Sequence, residues 1–527
     1  MTIRRYHEQT KHHLDAYAPG PGALDWANQP DPFRRYAGAP LVALPLAAHT
    51  LYVRFNTVRA GGSVPTQPLG LRSLGALLEI SLGLSAWKVY RGSSWALRCN
   101  PSSGNLHPTE GYLVCPRVEG LEPGVYHYAS REHALERRAV MEWGSTFPQG
   151  GLIVGLSAIV WREAWKYGAR AYRYCQHDAG HAIAAIRYAC AVLGWRARVL
   201  EAPGDATVSR LLGLDREVDL AGAEPERPDT LLWVGPGDAE PDCEALAACP
   251  GRWQGRANQL SPGHVHWPQI QMAEQACVKP GIAPGPRPQT AAWPPLEALD
   301  RQVQAVRLIT QRRSAMAFDG RTVLSRETFF RLLDATLPRS NCPPWDALPW
   351  GPRLHLVLFV HRVRDLAAGL YLLARRDGVV AELRQALGQD WLWQPVPAAP
   401  AHLALHLLLA ADTRETARTL ACHQDIAADS AFSLGMLGEF EAALAGSQWR
   451  YRELFWEAGV IGQVLYLEAE AAGLRGTGIG CYFDDAVHRL LGLSDTRFQD
   501  LYHFTVGTPV EDTRLRTLAP YAHLDKG

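Results

Sequence analysis

Two passages of the chain read alike: Asp178-Ala-Gly-His-Ala-Ile-Ala-Ala-Ile-Arg-Tyr-Ala-Cys-Ala-Val-Leu-Gly-Trp-Arg196 and Glu457-Ala-Gly-Val-Ile-Gly-Gln-Val-Leu-Tyr-Leu-Glu-Ala-Glu-Ala-Ala-Gly-Leu-Arg475. They lie within an ungapped correspondence of residues 172–214 with 451–493, offset by 279, in which thirteen of 43 positions are identical. In the first passage Ala179, Ala182, Ile183, Ile186, Cys190 and Leu193 recur at three- and four-residue steps. That spacing predicts a buried helix over 178–193, with a counterpart over 457–472. Gly194 and Gly473 supply the left-handed residue that ends each helix. A short segment follows in each copy, 198–200 and 476–481, and then a small helix closing on Leu-Leu-Gly-Leu.

Upstream, Arg117, Val118, Leu121, Gly124 and Tyr126 fall on Arg362, Val363, Leu366, Gly369 and Tyr371 at an offset of 245. Farther upstream, Leu77, Leu78 and Glu79 fall on Leu332, Leu333 and Asp334. The change of offset places extra residues of the later copy between about 381 and 450. So long a period exceeds the roughly 20–50 residues of stacked solenoid repeats and predicts two similar domains. Helices are expected over 71–81 and 326–335, and strands over 111–115 and 354–360. Helices interleaved with strands give an α+β fold class built of α/β halves. The expected boundaries are 1–235, a linker crowded with Pro and Gly at 236–300, and 301–527.

Composition narrows the function. The 527 residues are 47% hydrophobic and 20% charged, enough to bury a sizeable core and too apolar for a disordered chain. Lys plus Arg and Asp plus Glu are both 53. That balance lacks the basic excess of a general polyanion binder, so nucleic acid is not the expected partner. None of the ten cysteines forms a C-x-x-C pair, which argues against a structural zinc or a thioredoxin-like motif. The first residues carry no apolar signal region, and the apolar stretches 151–161 and 403–411 fall short of the ~18 residues of a spanning helix. A cytoplasmic chain with free thiols, outside the membrane, is the expectation.

Several motifs carry polar chemistry. Arg98-Cys-Asn-Pro-Ser-Ser-Gly-Asn105-Leu-His-Pro-Thr-Glu110 combines hydroxyls, an amide, a glycine and fixed prolines ahead of a strand. Such a loop is an ordinary turn, or one that aims donors at a planar ligand. Arg312-Arg313-Ser314 offers two forked cations and a hydroxyl, suited to a phosphate although common on solvated surface. Gly476-Thr-Gly-Ile-Gly480 departs from G-x-G-x-x-G and precedes no long helix, so it is no dinucleotide fingerprint. Its glycines either pack a strand or admit a ligand closely. His7-Glu8 with His12 misses the spacing of a zinc-protease helix, and His264-Val-His266 lacks a third ligand, so no metal site is expected. Lys166-Tyr167 could exchange protons if partly buried, or could be a surface Lys beside a packed Tyr.

Taken together these residues resemble the flavin-dependent nitroreductase superfamily, and within it the SagB/ThcOx-type azoline dehydrogenases. The loop from Arg98 through Pro101, Ser102, Ser103, Gly104 and Asn105 to Glu110 is similar to that branch's Arg…Pro-Ser-Ala-Gly-x-Leu-x-Pro-x-Glu loop. Lys166-Tyr167-Gly-Ala-Arg170-Ala-Tyr-Arg173-Tyr174, with Gly180-His181 beyond, is similar to its Lys-Tyr…Arg-x-Tyr-Arg-Tyr…Gly-His run. Arg312-Arg313-Ser314 resembles the family's opening Arg-Arg-Ser. Residues 457–463 and 478–480 resemble its central helix and flavin-edge segment.

The resemblance implies FMN as cofactor, held between halves that act as an intramolecular pseudo-dimer. Arg312, Arg313, Ser314 and Arg514 would hold the phosphate. Gly478, Ile479 and Gly480 would line the ring edge, and Pro101, Ser102, Ser103 and Asn105 would reach across from the first half. The twin position reads Thr57-Val58-Arg59 in place of the grip and Ser340-Asn-Cys-Pro-Pro-Trp345 in place of the loop, so one intact and one degenerate site are expected. Lys166 and Tyr167 would transfer protons. The implied activity is dehydrogenation of an azoline or related heterocycle in a peptide or small molecule, with a cyclodehydratase-type enzyme as a partner. The alternatives are an NAD(P)H-dependent quinone or nitro reductase and a non-catalytic docking partner.

Overall fold

A computed structural model describes residues 2–286, 291–299, 301–388 and 390–524. Both repeated helices form, and both begin seven residues earlier than the apolar stripe predicts: Ala171–Val192 and Arg450–Ala471, 22 residues each. Their first turns show no one-sided pattern because they are buried on all sides, as Tyr172, Arg173, Tyr174 and Cys175 are. Gly194 and Gly473 take positive φ of 69° and 76° just past the ends. The small helices Asp205–Leu212 and Asp484–Leu491 end on Gly213 and Gly492 in the same way.

The two long helices cross at equivalent residues. A Cβ on Gly180 would strike the backbone of Trp456, and one on Gly459 would strike the backbone of His177. Only glycine lets the backbones approach this closely. Ion pairs repeat the relation on either side of the crossing: Arg173 meets Asp484 at 2.7 Å, and Arg452 meets Asp205 at 2.8 Å. Contacts in which each partner's equivalent makes the mirror contact are the mark of two-fold association, here inside one chain.

Each half also carries a seven-strand path in the same spatial order. In the first half it runs Gly251–Trp253, Ala134–Met141, Gly124–Ala129, Thr109–Cys115, Leu152–Ala158, Arg227–Gly235, Arg196–Val199. In the second it runs Gln394–Pro395, Ala404–Ala410, Gly369–Ala374, Leu354–Val360, Phe432–Glu439, Phe498–Gly507, Arg475–Ile479. Neighbours along both paths are antiparallel. The helices Leu71–Glu79 and Arg326–Asp334 also match, ending slightly before the expected boundaries. The extra residues of the later half build the helices Val379–Ala386, Arg414–Leu420 and Asp425–Asp429.

Chain ends and linker bind the halves further. Segment 236–300 is not featureless: it includes the helices Cys243–Ala248 and Pro268–Ala276, and its strand Gly251–Trp253 extends the first sheet. The N-terminal helix Ile3–Gln9 reaches the second half through Arg4 and Glu441, 2.6 Å apart. A third sheet joins Leu84–Tyr90 and Ser93–Arg98 to Arg516–Leu518 from the far end of the chain.

Candidate active site

A cavity of about 510 Å³ opens where the halves meet. Pro101, Ser102, Ser103, Gly104 and Asn105 line it from the first half; Arg312, Arg313, Ser314, Gly478, Ile479 and Gly480 line it from the second.

The loop is set by its own backbone and by the helix behind it. Gly104, Asn105 and His107 all take positive φ, and Asn105 holds the turn by donating Nδ2 to the Ala96 carbonyl at 2.9 Å. Arg98 donates to the carbonyls of Thr109 and Pro32. Glu110 pairs with Arg162, which also donates to the His107 carbonyl. Against its burial, Arg162 and His127 hold the Glu110 carboxyl down to about 2. The outer residues of the motif thus brace the loop, while its centre faces the cavity. Arg162 lies on the helix Val160–Tyr167, so the same helix anchors the loop and presents Lys166 and Tyr167.

Beneath the loop sits a carboxyl pair. Asp178 accepts from the Ser103 N–H at 3.1 Å and from its hydroxyl at 3.2 Å. Glu163 lies 3.5 Å from the Ser102 hydroxyl. Both carboxyls are fully buried and burial raises them both, and at Glu163 the charge of Asp178 raises it further. At neutral pH such a pair holds a proton. Tyr167 faces the cavity, and burial followed by the charge of Glu163 raises its hydroxyl well above the usual range. Lys166 is not on the cavity wall; its Nζ lies 5.2 Å from the centre of the Tyr167 ring and, like the Tyr167 hydroxyl, against Gly104.

The opposite wall is cationic. Arg312 is 4% exposed and donates to the Arg98 carbonyl at 3.1 Å, but its Nε has no partner among the described residues. Its guanidinium lies over the Tyr466 ring at 4.8 Å. Tyr466 also organises its neighbours: its hydroxyl contacts Ser314 Oγ at 2.8 Å and accepts from the Gly478 N–H at 3.0 Å. Arg313 bonds Ser85 and nearby carbonyls. Burial and then the neighbouring Arg312 bring Arg313 down to about 10. Among the described residues neither arginine, nor Lys88 beside them, has a carboxylate within 4.0 Å, whereas Arg475 on the same wall pairs with Glu511. Glu470 lies near enough to act on both arginines but makes no ion pair with either, so their desolvated charge is only partly offset and the wall can accept an incoming anion. The glycines of 478–480 are demanded by close packing: a side chain at Gly478 would strike the Tyr502 hydroxyl, and one at Gly480 the Tyr174 ring.

The equivalent position across the pseudo-two-fold is closed. Arg59 is committed to Glu468 at 2.6 Å, Arg187 to Asp346 at 2.8 Å, and Gly61 abuts the Asn341 carbonyl. Glu457, the counterpart of Asp178, is neutralised by Arg375 at 2.6 Å. A cleft of about 240 Å³ beside it is lined by second-half residues alone, among them Asn341, Asp346 and Glu457.

Of the residues singled out in the sequence, the cavity gathers Pro101, Ser102, Ser103, Asn105, Tyr167, Arg312, Arg313, Ser314, Gly478, Ile479 and Gly480. Arg514 is not on its wall: it is 72% exposed and paired with Asp512 at 2.8 Å, while Glu511, Asp512 and Leu515 of the same segment face inward. Sequence reasoning missed Glu163, Asp178, Lys88, Tyr466 and Tyr502 as site residues. Glu163 stands one helical turn before Lys166, a spacing that could have placed it on the same face.

Residues 309–508 match the Nitroreductase family. The C-terminal half carries a nitroreductase-family domain. A provisionally named nitroreductase from Anabaena variabilis, known from a crystal structure, superposes over 97% of this chain and 100% of its own with a TM-score of 0.69 at 23% identity. The nitroreductase fold therefore extends to both halves, as two mixed α/β domains of about 250 residues. The chain is 30% identical over 136 residues to the trifolitoxin-processing protein TfxB of Rhizobium leguminosarum bv. trifolii, covering 23% of this chain and 36% of that protein. It is 28% identical over 126 residues to a provisionally named nitroreductase of Methanocaldococcus jannaschii, covering 22% of this chain and 60% of that protein. The chain thus spans less than two thirds of the length of either relative.

Proposed function

We propose that the chain is an FMN-dependent oxidoreductase that holds one flavin in the interfacial cavity and dehydrogenates a heterocycle of azoline type in a peptide or related small molecule. The observation that carries this reading is the pair Arg312 and Arg313, with no carboxylate within 4.0 Å among the described residues, facing the 101–105 loop across one cavity. A volume of about 510 Å³ lies within the ~300–1,000 Å³ of small-molecule and cofactor sites. The orphaned Nε of Arg312 fits a phosphate oxygen. Arg312, Arg313 and Ser314 would hold that phosphate with Lys88 in place of Arg514. Gly478, Ile479 and Gly480 would border the ring, and Pro101, Ser102, Ser103 and Asn105 would close over it. FMN, when bound, supplies the two-electron acceptor.

The chain's own residues handle the protons. Tyr167, kept neutral by its surroundings, presents a hydroxyl to the cavity, with the Lys166 Nζ 5.2 Å from the centre of its ring. Asp178 and Glu163 store a proton under Ser102 and Ser103. The partial identity to a trifolitoxin-processing protein favours a peptide substrate and a cyclodehydratase-type partner enzyme.

The test is to titrate the purified chain with FMN and then mix it anaerobically with an azoline-bearing peptide. One FMN per chain, and loss of its visible absorbance on adding peptide, are expected. Loss of absorbance with NAD(P)H alone and none with peptide would replace the reading by a nitro or quinone reductase. Absence of FMN binding would replace it by a docking partner.

A further inference from the structure

Cys422 and Cys481 are 59 residues apart in sequence, and their sulfurs lie 2.7 Å apart. Both are partly exposed, and Cys481 lines the interfacial cavity directly after Gly480. The two segments are tied along their backbones: Phe483 N–H donates to the Leu420 carbonyl at 2.8 Å, and Gln424 Nε2 donates to the Cys481 carbonyl at 3.2 Å. Cys422 and His423 take positive φ of 53° and 59°, which turns the chain after the helix Arg414–Leu420 and brings the first thiol to the second.

We propose that Cys422 and Cys481 form a thiol–disulfide exchange site on the rim of the cavity, closing to a disulfide at the expense of a low-molecular-weight disulfide. Cys481 is the attacking sulfur, because it lines the cavity and Cys422 does not. The hydrogen bond from Cys422, and then His12 and Arg170, keep its thiol well below the usual range, whereas the same contact and burial raise Cys422. A cysteine on the cavity wall with a second cysteine within reach is the arrangement of an attacking thiol beside a resolving one. The Cys481 thiolate attacks one sulfur of R–S–S–R and expels RS⁻. Cys422 then gives up its proton, and its sulfur attacks Cys481 in the mixed disulfide, expelling the second RS⁻. The expelled thiolate accepts the proton of Cys422. Two cysteines are oxidised to one disulfide, and R–S–S–R is reduced to one thiol and one thiolate, which takes back from solvent the proton that Cys481 released on ionising. Among the remaining cysteines, Cys99, Cys115, Cys175, Cys190, Cys243 and Cys277 are buried, and burial raises each thiol. The proposal stands apart from the flavin reading and needs no bound cofactor.

The experiment treats the full chain with oxidised glutathione, alkylates the remaining thiols and maps the peptides by mass spectrometry without reduction. The expected product is a Cys422–Cys481 cross-link, formed at least about tenfold faster than glutathione adds to Cys249 or Cys342, the other two partly exposed cysteines. In Cys422→Ser, glutathione should stay attached to Cys481. A stable adduct on Cys481 in the unaltered chain, or equal reaction of Cys249 or Cys342, would overturn the proposal. Should Cys422→Ser fail to fold, the map of the unaltered chain decides alone.

Discussion

Asp178 and Glu457 stand at equivalent points of the two long helices, and among the described residues only Glu457 has a guanidinium partner, Arg375, at 2.6 Å. Glu457 also accepts from the backbone of Arg353 and Leu354. Asp178 instead meets Ser103 and shares its surroundings with Glu163. The same backbone position carries an ion-paired brace in one half and a buried carboxyl without an ion pair, among the described residues, beside the cavity in the other.

That difference predicts a pH dependence. Burial lifts the Asp178 carboxyl to about 7. The unfolded carboxyl titrates near ~4, so between ~4 and ~7 the folded chain holds a proton the unfolded chain has released. The stability linked to it is complete below ~4 and is lost as pH rises through ~7. Asp178→Asn abolishes this titration. The variant should gain on the unaltered chain by roughly 1–3 kcal/mol between about pH 5 and pH 8.5. Denaturant midpoints across that range measure it, and parallel curves for the two proteins would contradict the assignment.

Arg312→Ala should weaken FMN binding about 10- to 100-fold, the worth of a charge-assisted hydrogen bond of ~1.5–3 kcal/mol. Arg514→Ala, which alters an exposed pair, should stay within about twofold. Flavin fluorescence titrations compare them, and equal losses would mean that the phosphate lies elsewhere.

The helix crossing has no room for a side chain. Gly459→Val would drive methyl groups into the His177 and Gly180 backbone, with a loss of about 1–3 kcal/mol or more from overpacking. Thermal denaturation reads this, and an unchanged midpoint would show that the helices do not cross at these glycines.

The closed twin position yields a contrasting expectation. Arg59→Met strands the buried Glu468 carboxylate, which costs about 3–5 kcal/mol. FMN stoichiometry should not change, since Arg59 lies outside the open cavity. Parallel stability and flavin titrations separate the two effects.

The sequence revealed the pairing of halves because repeated glycines, charged residues and apolar steps answer to the same local geometry twice. Leu354–Val360 and Gly369–Ala374 fall where the offset of 245 puts them. Helix starts were harder to read, since Tyr172 to Cys175 are buried on every side and leave no polar face to mark a boundary. The cavity wall was legible where it consists of motif residues. It was hidden where burial sets the chemistry of a side chain: Glu163 and Asp178 are ordinary acidic residues until the fold removes their water. Arg514 shows the converse, a cation at a suggestive place that Asp512 holds in solvent.

The strand Arg516–Leu518 pairs with Trp87, Lys88 and Val89, and the sheet it completes supplies Lys88, Trp95, Leu97 and Arg98 to the cavity wall. During synthesis that sheet stays one strand short until residue 518 has left the ribosome. The first half must therefore wait, its helix crossing uncovered and its edge open, for almost the entire remainder of the polypeptide. The cavity is among the last parts of the molecule to assemble, and a nascent chain arrested before that point has no finished place for a ligand.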